Sequence, residues 1–496
     1  MASLPKWLFI LAASALACTA CTAVGERVSI ESEEDFAGHR IGTLTGTIYE
    51  IQLDERTDLE ASIYGSLADG ANALKTGKID ALIADETAFS ESELRRLRIR
   101  KSFTLQTAYP TAFAFRKGDS TLVNAYNDFF RELQASGEYD RMLAYWFGPD
   151  DPDPAGYPVV EAYTEGEPLR YANTETQPPL AFFARGQWRG LEIELIQRFA
   201  AYLKRPCEIR FFEMSSRLLN LQMGKADMVG GCIFVTDERS MQVDFGDPYF
   251  HMRPGCFVVD DEALLFRGGL RTQVKSAVKQ NFFVEQRWKM ITDGLRTTLQ
   301  LTLWSILFGS LLGILLCWMA MGRSKPLQAF AKGYDAFMHG IPPLVLLLVL
   351  FYVVLAGSGW DAKAIAIAAL SLNFASAASD VFQTSIESVP RGQTEASLAL
   401  GFSKLHTFLN IVLPQAVRNG LPLFQGECIS LLKGTSIVGY IAVIDITRAC
   451  DLIRARTFDA FLPLLAVTVI YFILAWLIGL LLKFFYYLCF KLTRTR

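Results

Sequence analysis

From about residue 290 onward the chain carries a succession of apolar runs, each near the length at which a helix crosses a bilayer. A hydrocarbon core of roughly 30 Å takes about 20 helical residues. Runs of that order fall at 297–321, 341–357, 363–383, 419–444 and 460–485. They predict an all-α transmembrane domain of about five helices over residues 290–490, in a lipid bilayer. The third and fourth runs are richer in Ala, Ser and Gly, which suits helices buried inside a bundle. Whole-chain averages, 51% hydrophobic and 20% charged, hide this split. Everything before residue 290 reads as soluble protein, and 496 residues are enough for about three units.

Positive charge sets the expected orientation. Arg323, Lys325 and Lys332 follow the first run; Arg391, Lys404 and Arg418 follow the third; Lys483, Lys491, Arg494 and Arg496 close the chain. With five spans these regions share one side, the cytoplasmic one by the positive-inside rule. Arg448, Arg454 and Arg456 then fall outside and argue against it. The start, "MASLPKWLFILAASALACTAC", has the basic, apolar and small-residue order of a secretory signal over 1–24. Cys18 or Cys21 is a candidate lipidation site, with ordinary cleavage or an uncleaved anchor as alternatives. The nine cysteines form no framework and no zinc spacing; Cys207, Cys232 and Cys256 read as buried thiols, a disulfide among them being the alternative. A net charge of −3 without a basic run excludes a nucleic-acid partner. No enzyme site is legible, since neither His39 nor His251 has a nucleophile near it in sequence. No cofactor or metal is implied.

Glu427 and Lys433 fall inside the fourth run, where charge is costly and points to a transmembrane pathway or a structural pairing. Six residues place them about 240° apart on a helix, so they do not share a face. Between the third and fourth runs stands "EASLALGFSKLHTFLNIVLP". Pro390 suits a helix start, Gly401 a left-handed stop and Ser403 a new cap. The result is a short helix, a corner and a second helix presenting Leu398, Phe402 and Leu405 together.

Glu395-Ala396-Ser397, then Gly401, then Ile411-x-Leu413-Pro414 resembles the EAA loop of ABC importer permeases, with Ser397 in place of the third residue. The likeness extends over about 290–485, through "DGLRTTLQLTL", "LPQAVRNGLPLF" and "SLLKGTSIVGYIAV", and is to the permeases for His, Gln, Glu and Arg-type amino acids. In that family the loop inserts into a groove on an ATPase subunit. The resemblance therefore implies ATPase coupling through Glu395, Ala396, Ser397 and Gly401. It also implies a second permease copy, in a homodimer or with a paralogue. No GxxxxGK[ST] is present, so ATP hydrolysis is expected from a separate chain.

The first 290 residues alternate short strands and helices, an α/β pattern. "GPDDPDPAGYPVVEAYTEGEP", around 149–165, reads as a linker. The flanking segments, 28–148 and 166–262, both resemble the two-lobed solute-binding domains for polar amino acids, in reversed order. One circularly permuted domain, exported from the cytoplasm, is expected rather than two truncated ones. Carried over by motif, Arg239 in "TDER" would grip a ligand carboxylate. Gly46, Thr47 and Ile48 would complete the anion nest, and Asp85 would take an ammonium group. Thr236 opens the arginine motif. Gln177 stands where the family has an aromatic residue, so Phe182 or Phe183 would supply that face. Cys232 and Phe234 replace smaller or hydroxylated residues and put the ligand's identity in doubt.

The expected whole is an amino-acid ABC importer subunit of a bacterial cytoplasmic membrane, binding domain outside. The competing reading is a ligand-gated channel or sensor built on the same binding fold.

Overall fold

A computed structural model describes residues 30–45, 47–54, 56–148, 158–173, 178–184, 187–212, 216–260, 277–356, 358–459 and 461–491. The expected signal segment, with Cys18 and Cys21, lies outside the described residues, as do Gly46 and Gln177. The chain divides into two compact units. One comprises Met1–Ile209, Glu213–Ala277 and Arg454–Ala460; the other comprises Arg210–Phe212, Val278–Ile453 and Phe461–Arg496.

The first unit is α/β. Its first half supplies β1 (Arg40–Leu44), α1 (Ile48–Asp54), β2 (Glu60–Tyr64), α2 (Leu67–Lys75), β3 (Ala81–Asp85) and α3 (Glu91–Leu97). Then come β4 (Ile99–Thr104), β5 (Tyr109–Thr111), β6 (Ala114–Arg116), α4 (Ser120–Ala135) and α5 (Glu138–Trp146). The second half supplies β7 (Leu169–Asn173), β8 (Phe182–Ala184), β9 (Gln187–Arg189), α6 (Leu191–Tyr202), β10 (Cys207–Phe211) and α7 (Arg217–Gln222). It closes with β11 (Met228–Val229), α8 (Asp237–Gln242), β12 (Val243–Phe245), β13 (Phe250–Met252) and β14 (Pro254–Val259).

Two five-stranded sheets result, ordered β2-β1-β3-β14-β4 and β10-β7-β11-β6-β12. Each is completed by the other half of the sequence. β14 enters the first sheet antiparallel to both β3 and β4, with Cys256 opposite Ile83 and Phe103. β6 enters the second antiparallel to β11 and β12. The chain passes between the sheets along β5 and β13, which pair with each other, Thr111 opposite Phe250. Two strands crossing side by side make a ribbon suited to a hinge.

Local chemistry explains the helices around these sheets. In α4 the buried residues Tyr126, Phe129, Phe130 and Leu133 recur at helical spacing, and the Asp119 side chain caps the start by accepting from the Leu122 N–H. Ser90 and Glu93 form a reciprocal capping box on α3. Gly190, ahead of α6, has φ +122°, and a Cβ there would lie 2.2 Å from the Leu180 carbonyl oxygen, so only glycine fits.

The second unit is helical: α9 (Trp288–Met321), α10 (Lys325–Gly340), α11 (Pro343–Val349), α12 (Ala362–Glu387), α13 (Arg391–Ala399), α14 (Lys404–Thr407), α15 (Leu413–Gly434), α16 (Ile446–Thr457), whose residues from Arg454 onward fall in the first unit, and α17 (Phe461–Lys491). Among the described residues three helices are long and apolar enough to span a bilayer, or up to five spans if each of two bent helix pairs counts as one. Residues 325–340, expected as a connection, are helical; α10 and the segment Pro343–Val354 form one of those pairs, bent by 103°. The mixed polarity of "KPLQAFAKGYDAFMHG" had concealed it. Gly309 and Gly313 let α9 close on α12. A Cβ at Gly309 would meet Phe374 at 2.8 Å and the Ser371 carbonyl oxygen at 2.9 Å, and one at Gly313 would meet Ala378 at 2.9 Å. This is the close approach that small residues permit between membrane helices. Leu301, Leu347, Phe351, Ile365, Leu370 and Phe374 fill the core beside it.

Candidate solute-binding cleft and coupling knob

In the first unit, Asp85 ends β3, and Tyr49 of α1 donates its hydroxyl hydrogen bond to Asp85 Oδ1 at 3.0 Å. The segment Ile233–Val235 runs beside β5: the Ala112 N–H donates to the Ile233 carbonyl and the Val235 N–H to the Pro110 carbonyl. That pairing holds Phe234 against Tyr49 and Tyr109, at ring-centroid distances of 5.7 and 5.6 Å, with Tyr49 and Tyr109 themselves 6.5 Å apart. Cys232, in the left-handed region at φ +52°, places its thiol in hydrogen-bond contact with Asp85. Burial, with Asp85 beside it, raises the thiol's pKa well above its ordinary value; the same two causes raise Tyr49's.

Thr236 caps α8, its hydroxyl accepting from the Arg239 N–H at 3.3 Å. Arg239 Nη1 donates to the Phe234 carbonyl at 3.2 Å, and burial lowers its pKa. Arg217 is buried in the same half and donates from Nη1 to the Gly231 carbonyl; burial, then the neighbouring Arg239, push its pKa down to about 10. The fully buried Glu192 accepts from the N–H groups of Gly231 and Cys232, from Asn173, and from the hydroxyls of Tyr171 and Tyr249. Five donors on one carboxylate pin the loop that carries Cys232 and Phe234.

The structure thus links Asp85 to Cys232 and, through Tyr49, to Phe234, whose carbonyl accepts from Arg239 on the helix that Thr236 caps. Thr47 donates its hydroxyl to the Leu44 carbonyl at 2.6 Å, and Ile48 begins α1, one residue before Tyr49. Phe182 is buried elsewhere, edge-on to Trp146 at 6.0 Å and beneath the Arg456 guanidinium. The ring that bonds Asp85 is Tyr49, with Tyr109 packed against Tyr49 and Phe234. Sequence reasoning missed both tyrosines, because a single aromatic in an element as short as α1 or β5 carries no periodic signal. Cys207, Cys232 and Cys256 are free thiols, which removes the disulfide alternative.

In the second unit, Ser403 caps α14 by accepting from the His406 N–H, and Gly401 turns the corner at φ +87°. Ser397 and Thr407 share a buried hydroxyl contact of 2.9 Å that ties α13 to α14. Phe402 stacks on His406 at 4.8 Å. Leu398, Leu400, Phe402 and Leu405 stay exposed, Leu400 at 78% and Leu405 at 68%, with Glu395 and Ala396 exposed on the same short helix. Glu427 is half-buried and Lys433 exposed on α15. A polar group unforeseen in the sequence joins α10 to α12: His339 Nδ1 lies 3.0 Å from Asp335 Oδ1, its Nε2 lies 3.9 Å from Asp380 Oδ2, and Ser376 donates to Asp335.

A unit with two mutually completed sheets, and a helical unit with helices long and apolar enough to span a bilayer, define a membrane protein with an α/β domain. Residues 169–410 match the bacterial extracellular solute-binding proteins, family 3. The match begins at β7 and ends within the helical unit. Similar curated proteins include the L-cystine transport system permease protein TcyB of Bacillus subtilis, 32% identical over 207 residues, 41% of this chain and 88% of that protein. The arginine ABC transporter permease protein ArtQ of Haemophilus influenzae is 34% identical over 174 residues, 33% of this chain and 77% of that protein. A putative glutamine transport system permease protein GlnP of Rickettsia conorii is 29% identical over 195 residues, 39% of this chain and 89% of that protein. Among solved structures, an amino acid ABC transporter crystallised with histidines matches at 29% identity and a TM-score of 0.38, covering 45% of this chain and 99% of that one.

The chain belongs to the permeases of amino-acid ABC transporters and carries a family 3 solute-binding domain in the same polypeptide. It is a subunit of an amino-acid importer, a multi-pass protein of the inner membrane, with ATP hydrolysis left to a separate chain.

Proposed function

We propose that this subunit captures an amino acid, or a similar small carboxylate, in a cleft between Arg239 and Asp85 and releases it to a path through the helical unit. The carrying observation is that Asp85 and Tyr49 come from one half of the sequence while Cys232, Phe234 and Arg239 come from the other, and that each half completes the other's sheet. An α-amino acid needs a cation for its carboxylate and an anion for its ammonium group. Arg239 offers a bidentate, charge-assisted grip, and its burial, which disfavours an unpaired cation, strengthens the demand for an anion. Asp85 supplies the opposite charge, with Tyr49, Tyr109 and Phe234 as an apolar wall for the side chain. Thr236 holds the arginine's helix, and Thr47 and Ile48, beside Tyr49 in the chain, complete the anion nest, for which the sequence motif also offers Gly46.

The interleaved sheets also support one circularly permuted domain, made of 28–148 and 166–262 joined by the linker at 149–165. The match beginning at β7 agrees with a family start in mid-chain. In this reading the domain faces outside and two copies of the chain pair to complete the path. Glu427, Lys433 and the Asp335–His339–Asp380 group are its polar lining. The exposed α13–α14 corner, Glu395 to Gly401, docks in a groove of the ATPase subunit. That would explain why Leu400 and Leu405 are left uncovered.

The test is reconstitution of the full chain with its ATPase subunit in nanodiscs, with ATP hydrolysis followed as L-cystine, L-glutamine and L-arginine are added in turn. An importer shows amino-acid-stimulated hydrolysis that Arg239→Ala removes. Hydrolysis indifferent to every amino acid supplied, with intact assembly, would contradict this function.

A further inference from the structure

The stretch Arg454–Ala460 is remote in sequence from the two halves of the cleft domain, yet it belongs to the first unit. Three of its side chains are built into that unit. Arg454 Nη1 donates to Asp69 Oδ1 of α2 at 3.1 Å. Phe458, with φ +51°, is 2% exposed and packs 5.1 Å from Phe89 within the core formed by α2, β3 and β14. Arg456 Nη1 reaches Glu93 Oε1 of α3 at 2.7 Å, with side-chain exposures of 17% and 5%. Glu93 uses its other oxygen to cap Ser90, so the pair completes a carboxylate already fixed in position.

Arg456 does more than pair. Its guanidinium carbon lies 5.2 Å from the centroid of Phe182, on the β8–β9 hairpin. Phe182 is edge-on to Trp146 of α5, whose indole N–H donates to Glu194 of α6, and these helices belong to the second sheet's layer. α3 belongs to the first sheet's layer, against β4 and β14. One planar cation therefore bonds a carboxylate of one lobe with its edge and covers an aromatic ring of the other with its face.

We propose that Arg456 is an interlobe latch, which holds α3 and the β8–β9 hairpin in the arrangement where Asp85 and Tyr49 meet Cys232 and Phe234. The solute-binding domain then depends on a residue carried at the end of α16, in the chain that continues into α17. The inference rests on the cleft reading above. Loss of the latch lowers the fraction of protein in the binding-competent arrangement, so apparent affinity falls by that fraction.

Hydrogen–deuterium exchange on the full chain in nanodiscs tests this without a ligand. In Arg456→Lys, which keeps a charge for Glu93 but loses the planar face, amides of β8–β9 should exchange about 3- to 10-fold faster while those of α3 stay protected. Arg456→Ala should loosen both, and Arg454→Ala, which removes the bond to Asp69 of α2, should leave β8–β9 unchanged. Isothermal titration with L-cystine, L-glutamine and L-arginine should show a matching rise in Kd for both Arg456 variants. Unchanged β8–β9 exchange in Arg456→Lys overturns the latch, and it decides the matter even if Arg456→Ala fails to fold. Binding that survives Arg239→Ala would instead overturn the cleft reading, a separate failure.

Discussion

Asp227 shows how one carboxylate is made to serve the fold rather than the ligand. It accepts from Arg170 Nη2 at 2.7 Å, from Arg116 Nη2 at 3.0 Å and from the Arg170 backbone N–H at 3.0 Å. Burial raises its pKa, but the Arg170 hydrogen bonds outweigh burial, and the carboxyl titrates below its ordinary value. A group whose folded pKa is depressed contributes stability above its unfolded value, about 3.9, and loses it as pH falls through the folded one. Asp227→Asn should therefore lower the melting temperature at neutral pH, by an equivalent of about 1–3 kcal/mol, and flatten the stability profile below about pH 4. Melting of the full chain from pH 3 to 7 checks both effects. The residues proposed to hold the ligand are legible differently. Arg239 and Asp85 were recognisable through short motifs, whereas Tyr49 and Tyr109 became visible only when α1 and β5 were placed beside Phe234.

At the level of elements, the α13–α14 corner was readable in full because proline, glycine and serine punctuate it at Pro390, Gly401 and Ser403. Gly401→Val forces a β-branched residue to φ +87°, a cost of about 1–2 kcal/mol or more, and should disorder the corner. Leu405→Asp leaves the backbone intact but places charge on an exposed apolar knob. Both should reduce recovery of the ATPase subunit with the tagged chain, while amino-acid binding stays at the wild-type level; loss of binding in Leu405→Asp would contradict a coupling role. α9 and α12 were foreseen as spans, but α10 was not, since its charged and apolar residues average out. Gly313→Leu should lower stability in detergent by wedging α9 from Ala378, whereas Gly333→Leu, with nothing near its Cβ, should not. Arg454 and Arg456 opposed the charge rule in the sequence; their partners Asp69 and Glu93 give them a structural reason to be there.

For the whole molecule, the order of the two sequence halves is the feature that local pattern alone did not settle. Alternating strands and helices fit two small domains or one. Only the pairings of β14 with β3 and of β6 with β11 show each half completing the other's sheet. The proposed cleft draws on both halves, and its chemistry would stand or fall on Asp85 and Arg239, more than 150 positions apart in the chain. Isothermal titration of the full chain in nanodiscs with L-cystine, L-glutamine and L-arginine measures this directly, comparing wild type with Arg239→Ala and Asp85→Asn. The account predicts that at least one amino acid binds the wild type and that each substitution alone raises its Kd at least about 100-fold, roughly the cost of leaving one buried charge of the ligand unpaired. Binding that needs only one of the two residues, in variants that melt like the wild type, would contradict a site shared between the halves.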